Sequence, residues 1–363
     1  MKFHCERDVL DRAFSITRRA VAGRGGTLQV LSGLHLELKG NRLTVVGSDL
    51  DLVVRVTVEV GGEKDGSVVF PQLGSEIVRA LDSGQVEVTV DDDGASVVSG
   101  RSDFRLRVMS SEEYPKFDEP SGESVTLDAS TVADALDQVI KAASLDDARQ
   151  ILTGVLMAAE EDGLRFVATD SYRLAVRDLP GTAVLSRDQT VLVPSRALDM
   201  VGKILGDAEN LTIRLGEREA AFEIDDVQVM TRLIEGEFPN YRGLIPDDHP
   251  NVLVVDRIAL QEAVRRVRIL AQESTPVRLS MSTDGLELVA ITQDVGQAHE
   301  SLDATYDGTD LTVAFNPQFL LDGLEVSPGE EVRLETSEAS KPAVLRSTGD
   351  EQFLYLLMPV RVT

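Results

Sequence analysis

Cysteine is almost absent. With Cys5 alone among 363 residues, the chain can form no internal disulfide and no Cys-rich zinc site. It has no tryptophan and only four histidines, His4, His35, His249 and His299, which share no metal-ligand spacing. No apolar run approaches the roughly 18 residues that cross a bilayer. Met1-Lys2-Phe3-His4-Cys5 does not open like a signal peptide, so a protein of the cytosol is expected. Positive charge is scarce as well: 36 Lys and Arg face 62 Asp and Glu, a formal charge of −26. At face value this argues against nucleic acid and anionic membranes, because phosphate binding rests on Lys and Arg. A hydrophobic share of 42% with 27% charged residues indicates a globular chain. At about 100–200 residues per domain, its length suggests two or three domains.

Catalytic chemistry finds no foothold. Gly23-Arg24-Gly25-Gly26 lacks the lysine and hydroxyl residue of a phosphate loop. Asp91-Asp92-Asp93-Gly94 lacks the spaced ligands of a calcium loop and reads as a hairpin turn. No motif joins a histidine to a serine or cysteine nucleophile. The expectation is therefore a protein without enzyme activity, cofactor or metal.

What the chain has is a threefold repeat. Val69-Phe70-Pro71-Gln72-Leu73, Val193-Pro194-Ser195-Arg196-Ala197 and Phe315-Asn316-Pro317-Gln318-Phe319 share one pattern, an apolar strand, a proline and an amphipathic stretch. The three prolines are spaced 123 residues apart, and proline suits a first helical turn. Each unit opens with an apolar strand and a helical run, over 1–21, 125–143 and 252–271. Leu136, Val139 and Ile140, and Leu260, Val264 and Val267, show the helical period. A hairpin follows, turning at Asp162-Gly163 in the second unit and Asp284-Gly285 in the third. Further strands close each unit. The fold class is thus α+β, three tandem units each reading β-α-β-β-β-α-β-β-β. Polar, proline-containing breaks at 119–122 and 246–250 set domains of 1–120, 121–250 and 251–363.

Splitting the charge gives −5, −12 and −9 for these domains. The first helices depart from that trend. Residues 6–24 hold Arg7, Arg12, Arg18, Arg19 and Arg24 against three acids, and residues 256–270 hold Arg257, Arg265, Arg266 and Arg268 against two. The second unit is weaker, with Lys141 and Arg149 among four aspartates. Such helices could meet a polyanion that the remaining surface repels.

Four segments resemble the bacterial β sliding clamps of replicative DNA polymerase. They are Val167 to Ala175, Glu235 to Tyr241, Ala314 to Leu321 and Tyr355 to Val362, in order and on the threefold repeat. The resemblance spans essentially the whole chain. It implies a head-to-tail homodimer, a closed ring whose helices line the pore, encircling duplex DNA without sequence preference. It implies Arg18, Arg19, Arg24, Lys141, Arg149, Arg265, Arg266 and Arg268 as DNA-facing. It implies a pocket that takes short peptides from the polymerase catalytic subunit, the clamp loader, and repair or translesion polymerases, ligase or mismatch-repair proteins. Carried over by motif, that pocket holds Thr169, Ser171, Tyr172, Arg173 and Leu174, then Pro239 and Leu244. Asn316, Phe319 and Val344 follow, with Met358, Pro359, Val360 and Arg361 from the tail.

Phe104-Arg105-Leu106-Arg107 alternates apolar and basic, as a half-exposed strand does. The resemblance makes it, with Arg101, one face of the dimer interface, opposite Ile269 and Leu270, with Glu300 and Asp303 as partners for the arginines. Three features depart from the family. Gly243 replaces a larger residue before Leu244, Gln29 stands where a proline is common, and the stretch 273–276 lacks an aromatic, so a pocket contact there is expected to be missing. A rival reading, an acidic repeat scaffold that binds proteins only, predicts no ring.

Overall fold

A computed structural model describes residues 1–23, 28–246, 248–271 and 275–361. Six α-helices are present among them: α1 (Arg7–Thr17), α2 (Leu73–Ala80), α3 (Ala129–Ile140), α4 (Ser195–Leu205), α5 (Arg257–Arg268) and α6 (Pro317–Val326). Each starts where local chemistry allows. Helix α1 buries Leu10, Ala13, Phe14 and Thr17 on one stripe, and α5 buries Leu260, Ala263, Val264 and Val267. Asp256 caps α5 by accepting the Ala259 N–H at 2.7 Å.

The three repeats appear, with one difference from the expected order. Between the paired helices of each unit lies one strand more than the three expected: Leu52–Glu59, Arg173–Pro180 and Gly296–Leu302. In the first and third units this region also carries the short strands Gly61–Lys64 and Ala304–Asp307. The added strand follows a turn with no Asn-Gly or Asp-Gly signal. A non-glycine residue at positive φ makes the bend instead: Leu50 (85°), Ser171 (80°) and Asp294 (63°). The prolines also act differently. Pro317 occupies the first turn of α6, but Pro71 and Pro194 end strands. All three follow or finish an outermost strand, where a missing N–H breaks no ladder.

The chain divides into two compact units, Met1–Ser130 with Met200–Leu233, and Thr131–Asp199 with Ile234–Thr363. This division cuts through the middle repeat because sheets run across repeat boundaries. In the first unit an eight-stranded antiparallel sheet forms when Val227–Arg232 pairs with Leu52–Glu59, placing Val229 opposite Val54. In the second a nine-stranded sheet forms when Asp350–Leu357 pairs with Arg173–Pro180, placing Tyr355 opposite Ala175. Each junction covers an apolar cluster. One gathers Val30, Val46, Val53, Tyr114, Ala221 and Met230; the other gathers Leu156, Leu174, Tyr241, Val344, Leu354 and Leu356.

Two smaller sheets remain open. Five strands in the first unit end at Ser102–Leu106, and four in the second end at Gly296–Leu302. A strand at such an edge carries unpaired N–H and C=O groups that can pair with another chain.

Candidate functional site

The second unit holds a cleft of about 380 Å³. Its first wall is the turn Thr169–Arg173. Thr169 Oγ1 donates to the Arg173 carbonyl at 2.6 Å and accepts the Ser171 N–H at 3.1 Å. Asp170 Oδ1 accepts the N–H groups of Tyr172 and Arg173 at 2.8 and 3.0 Å. With its backbone locked, the turn holds Tyr172 outward at 59% exposure.

The second wall is the chain after the last strand. The Met358 N–H donates to the Tyr172 carbonyl at 2.9 Å, and the Val360 N–H to the Ala314 carbonyl at 2.8 Å. The start of α6 forms the third. Asn316 Oδ1 accepts from the Gln318 and Phe319 N–H groups at 2.9 and 3.4 Å. Phe319 stacks on Tyr172 with ring centroids 6.4 Å apart.

Arg173 supports this wall from within. Its guanidinium is 4.4 Å from the centre of the Phe319 ring, a cation–π contact. It donates to Asp170 at 3.0 Å, to Asp322, and to the Tyr355 hydroxyl at 3.3 Å. Arg173, Asp170 and Asp322 are each only 11–13% exposed, so the charges are matched inside the fold. Burial raises the pKa of the Tyr355 phenol far above its ordinary value and keeps it a neutral hydrogen-bonding group.

Of the fourteen residues expected in the pocket, Tyr172, Asn316, Phe319, Met358, Pro359 and Val360 line the cleft. Thr169 and Arg173 brace it, and Ser171 supplies the bend. Leu174 and Val344 lie in the buried cluster. Pro239, Leu244 and Arg361 are exposed. Thr275 and Pro276 also line the cleft, although an absent aromatic had suggested a missing contact there. Residues 272–274 lie outside the described residues. Asp322 escaped sequence reading because its role is set by an arginine 149 positions away. At Gly243 an added Cβ would meet only Asn240 Nδ2 at 3.8 Å, so packing there does not require glycine. Among the described residues, no group lining the cleft carries a formal charge at neutral pH. It is therefore suited to apolar side chains held by a few polar anchors.

The basic residues are unevenly engaged. Arg265 pairs with Glu262 at 2.7 Å and Glu325 at 3.1 Å, and Lys141 reaches the same Glu325 at 2.9 Å. Those hydrogen bonds, Lys141 first, hold the Glu325 carboxyl below its ordinary pKa. Arg266 forks onto Glu300 at 2.8 and 3.0 Å, so an expected DNA contact and an expected interface acid form one ion pair. Arg149 donates to the Asp170 carbonyl at 3.0 Å, which ties it to the Tyr172 turn. Arg18 reaches Ser75 at 3.4 Å. Arg19 and Arg268 are exposed, and Arg24 lies outside the described residues. At the open edges, Phe104 is 38% and Ile269 83% exposed, Leu270 is half-buried and Leu106 is buried. Arg101, Arg107 and Asp303, nearby in sequence, are exposed, and Arg105 pairs with Asp91 at 2.5 Å.

Family models of the DNA polymerase III beta subunit match the chain end to end. The N-terminal domain matches over 1–118, the central domain over 126–240 and the C-terminal domain over 242–361. The beta sliding clamp of Streptomyces coelicolor is 36% identical over the full length of both chains. The chain belongs to the beta sliding clamp family. Crystal structures agree with this. The clamp of Bartonella birtlesii bound to griselimycin has a TM-score of 0.95 at 30% identity, and the Bacillus subtilis clamp 0.94 at 28%, each covering all of both chains. As a sliding clamp it is a non-catalytic accessory subunit of DNA polymerase III and serves processivity in DNA replication. No helix among the described residues is long and apolar enough to cross a membrane.

Proposed function

We propose that two copies close head to tail into a ring of six domains, bounded in each chain at 1–120, 121–250 and 251–363, that encircles duplex DNA in the cytoplasm. The supporting observation is a repeated junction. Twice within the chain, the last strand of one repeat pairs antiparallel with the strand after the positive-φ turn of the preceding repeat. The register is equivalent both times: Thr231 opposite Leu52, and Leu357 opposite Arg173. Two strands of these same kinds lie at the ends of their sheets with one edge open, Ser102–Leu106 and Gly296–Leu302. Joining them between copies makes a third equivalent junction. Because donor and acceptor edges differ, the contact is heterologous and closes if the rotation fits.

The shared register puts Leu106 opposite Gly296, Phe104 opposite Ala298 and Ser102 opposite Glu300. Burial agrees with this alternation. Ala298, Glu300 and Leu302 are half-buried, while Gln297, His299 and Ser301 are exposed. Phe104 and Leu106 thus meet the inner face, beside Ile269 and Leu270. Phe104 takes the place that Val229 and Tyr355 fill at the other junctions, where both are fully buried.

A closed ring needs no tight hold on DNA. Weak attraction of phosphates to Arg18, Arg19, Arg24, Lys141, Arg149, Arg265, Arg266 and Arg268 permits sliding. Exposed ion pairs such as Arg265–Glu325 are weak and screened by salt, so passing phosphates can exchange with the carboxylates. The Tyr172–Met358 cleft, with the neighbouring pocket residues, takes short peptides of the polymerase catalytic subunit, the clamp loader and repair proteins. Light scattering on the eluting peak tests closure: twice 39.4 kDa is expected, and a monomer at micromolar concentration refutes it. Retention on circular primed DNA, lost on linearisation, tests encirclement.

A further inference from the structure

We propose a second peptide site at the other junction, in the cavity of about 290 Å³ between the Leu50 turn and the Pro115 segment. It takes a short peptide with a bulky apolar side chain next to an arginine. The proposal rests on reading the Tyr172–Met358 cleft as a peptide pocket, because the two sites share one frame.

Four hydrogen bonds of the frame repeat. Ser48 Oγ accepts the Leu50 N–H at 3.0 Å, as Thr169 accepts that of Ser171 at 3.1 Å. Asp49 Oδ1 accepts the Asp51 and Leu52 N–H groups at 3.2 and 2.9 Å, as Asp170 serves Tyr172 and Arg173. The Arg232 N–H donates to the Asp51 carbonyl at 3.1 Å, as that of Met358 does to Tyr172. Tyr114-Pro115-Lys116-Phe117 repeats Phe238-Pro239-Asn240-Tyr241. Five expected pocket residues, Ser171, Tyr172, Leu174, Pro239 and Met358, therefore correspond to Leu50, Asp51, Val53, Pro115 and Arg232, and all five of these line the cavity.

The floor is apolar and the lip is not. Val53, Met230 and Phe117 form an apolar base, and Arg55 donates to the Phe117 carbonyl at 3.2 Å. Around the rim, Asp51, Asp118 and Glu219 outnumber Lys116 and Arg232. Arg232 lies 3.8 Å from Asp51, and setting that pair aside leaves Asp118 and Glu219 against Lys116. Among the described residues the Tyr172–Met358 cleft has no charged lining, so the two sites suit different sequences. An excess of carboxylates favours an arginine beside the anchor and disfavours phosphate-bearing ligands.

The test titrates capped Arg-Leu-Phe amide into the full chain carrying ¹³C-methyl methionine. Met230 reports on this cavity and Met358 on the other cleft, each assigned from its Met→Leu variant. A saturable shift at Met230 is expected. Asp118→Asn with Glu219→Gln should weaken it about two- to five-fold, the worth of an exposed charge pair. The citrulline analogue should not respond to those substitutions. A shift at Met358 alone, or equal weakening for both peptides, overturns the proposal. A shift at Met230 with Met358 silent to every apolar peptide supports it and instead removes the peptide reading of the other cleft.

Discussion

Replacing Phe104 by alanine should break the dimer by an amount that can be worked out. Phe104 is 38% exposed in the single chain, whereas Val229 and Tyr355, its equivalents at the closed junctions, are fully buried. An aromatic side chain buries about 200 Å², so closure would hide on the order of 75 Å² more, worth about 2 kcal/mol. Alanine keeps part of that contact, and a two-copy ring contains the interface twice. The expected cost is about 3 kcal/mol per ring, roughly 150-fold in dimer Kd. Sedimentation equilibrium over a dilution series reads this directly. The register has its own check: Phe104→Cys with Ala298→Cys should oxidise to a cross-linked dimer, since directly opposed residues lie about 4.5–5.5 Å apart. Phe104→Cys with Gln297→Cys should not, because a one-residue slip turns the side chain to the other face. An unchanged dimer Kd, or cross-linking through position 297 alone, would refute the equivalence of the three junctions.

Other perturbations probe separate parts of the molecule. Asp322→Ala leaves Arg173 with one carboxylate in a nearly buried site and should cost about 3 kcal/mol, seen in urea unfolding, with weaker peptide capture because Phe319 loses its support. Arg265→Ala with Arg266→Ala should reduce the salt dependence of DNA retention by about 0.9 in log–log slope per lost phosphate contact; an unchanged slope removes both from the pore. Burial lowers the pKa of His35, stacked 4.8 Å from Tyr114, below its ordinary 6.5 despite the nearby Glu37 carboxylate. The unfolded chain therefore takes up the proton first as pH falls, so this contribution is complete above about pH 6.5 and is lost below it. Tm should drop between pH 7 and pH 5, and His35→Gln should flatten that part of the profile; an equal drop in the variant would exclude His35 as the cause.

Short-range chemistry in the chain was enough to define the helices, the hairpins and the repeat. Helical stripes such as Leu260, Val264 and Val267, Asp-Gly turns and evenly spaced prolines act on neighbouring residues, so they survive in a linear reading. The turns at Leu50 and Ser171 did not, because side-chain caps from Ser48, Asp49, Thr169 and Asp170 stabilise a backbone that composition does not announce. Membership of the pocket was half legible. Tyr172, Asn316, Phe319 and Met358 sit on recognisable segments, but whether Leu174 lines a cleft or fills a core depends on what packs over it. Only tertiary structure decided the junctions. Residues 227–231 find 52–56, and 353–357 find 173–177, across more than 170 positions in each case. Strand pairing over such distances is selected by which apolar faces can be covered together, and that is a property of the folded whole.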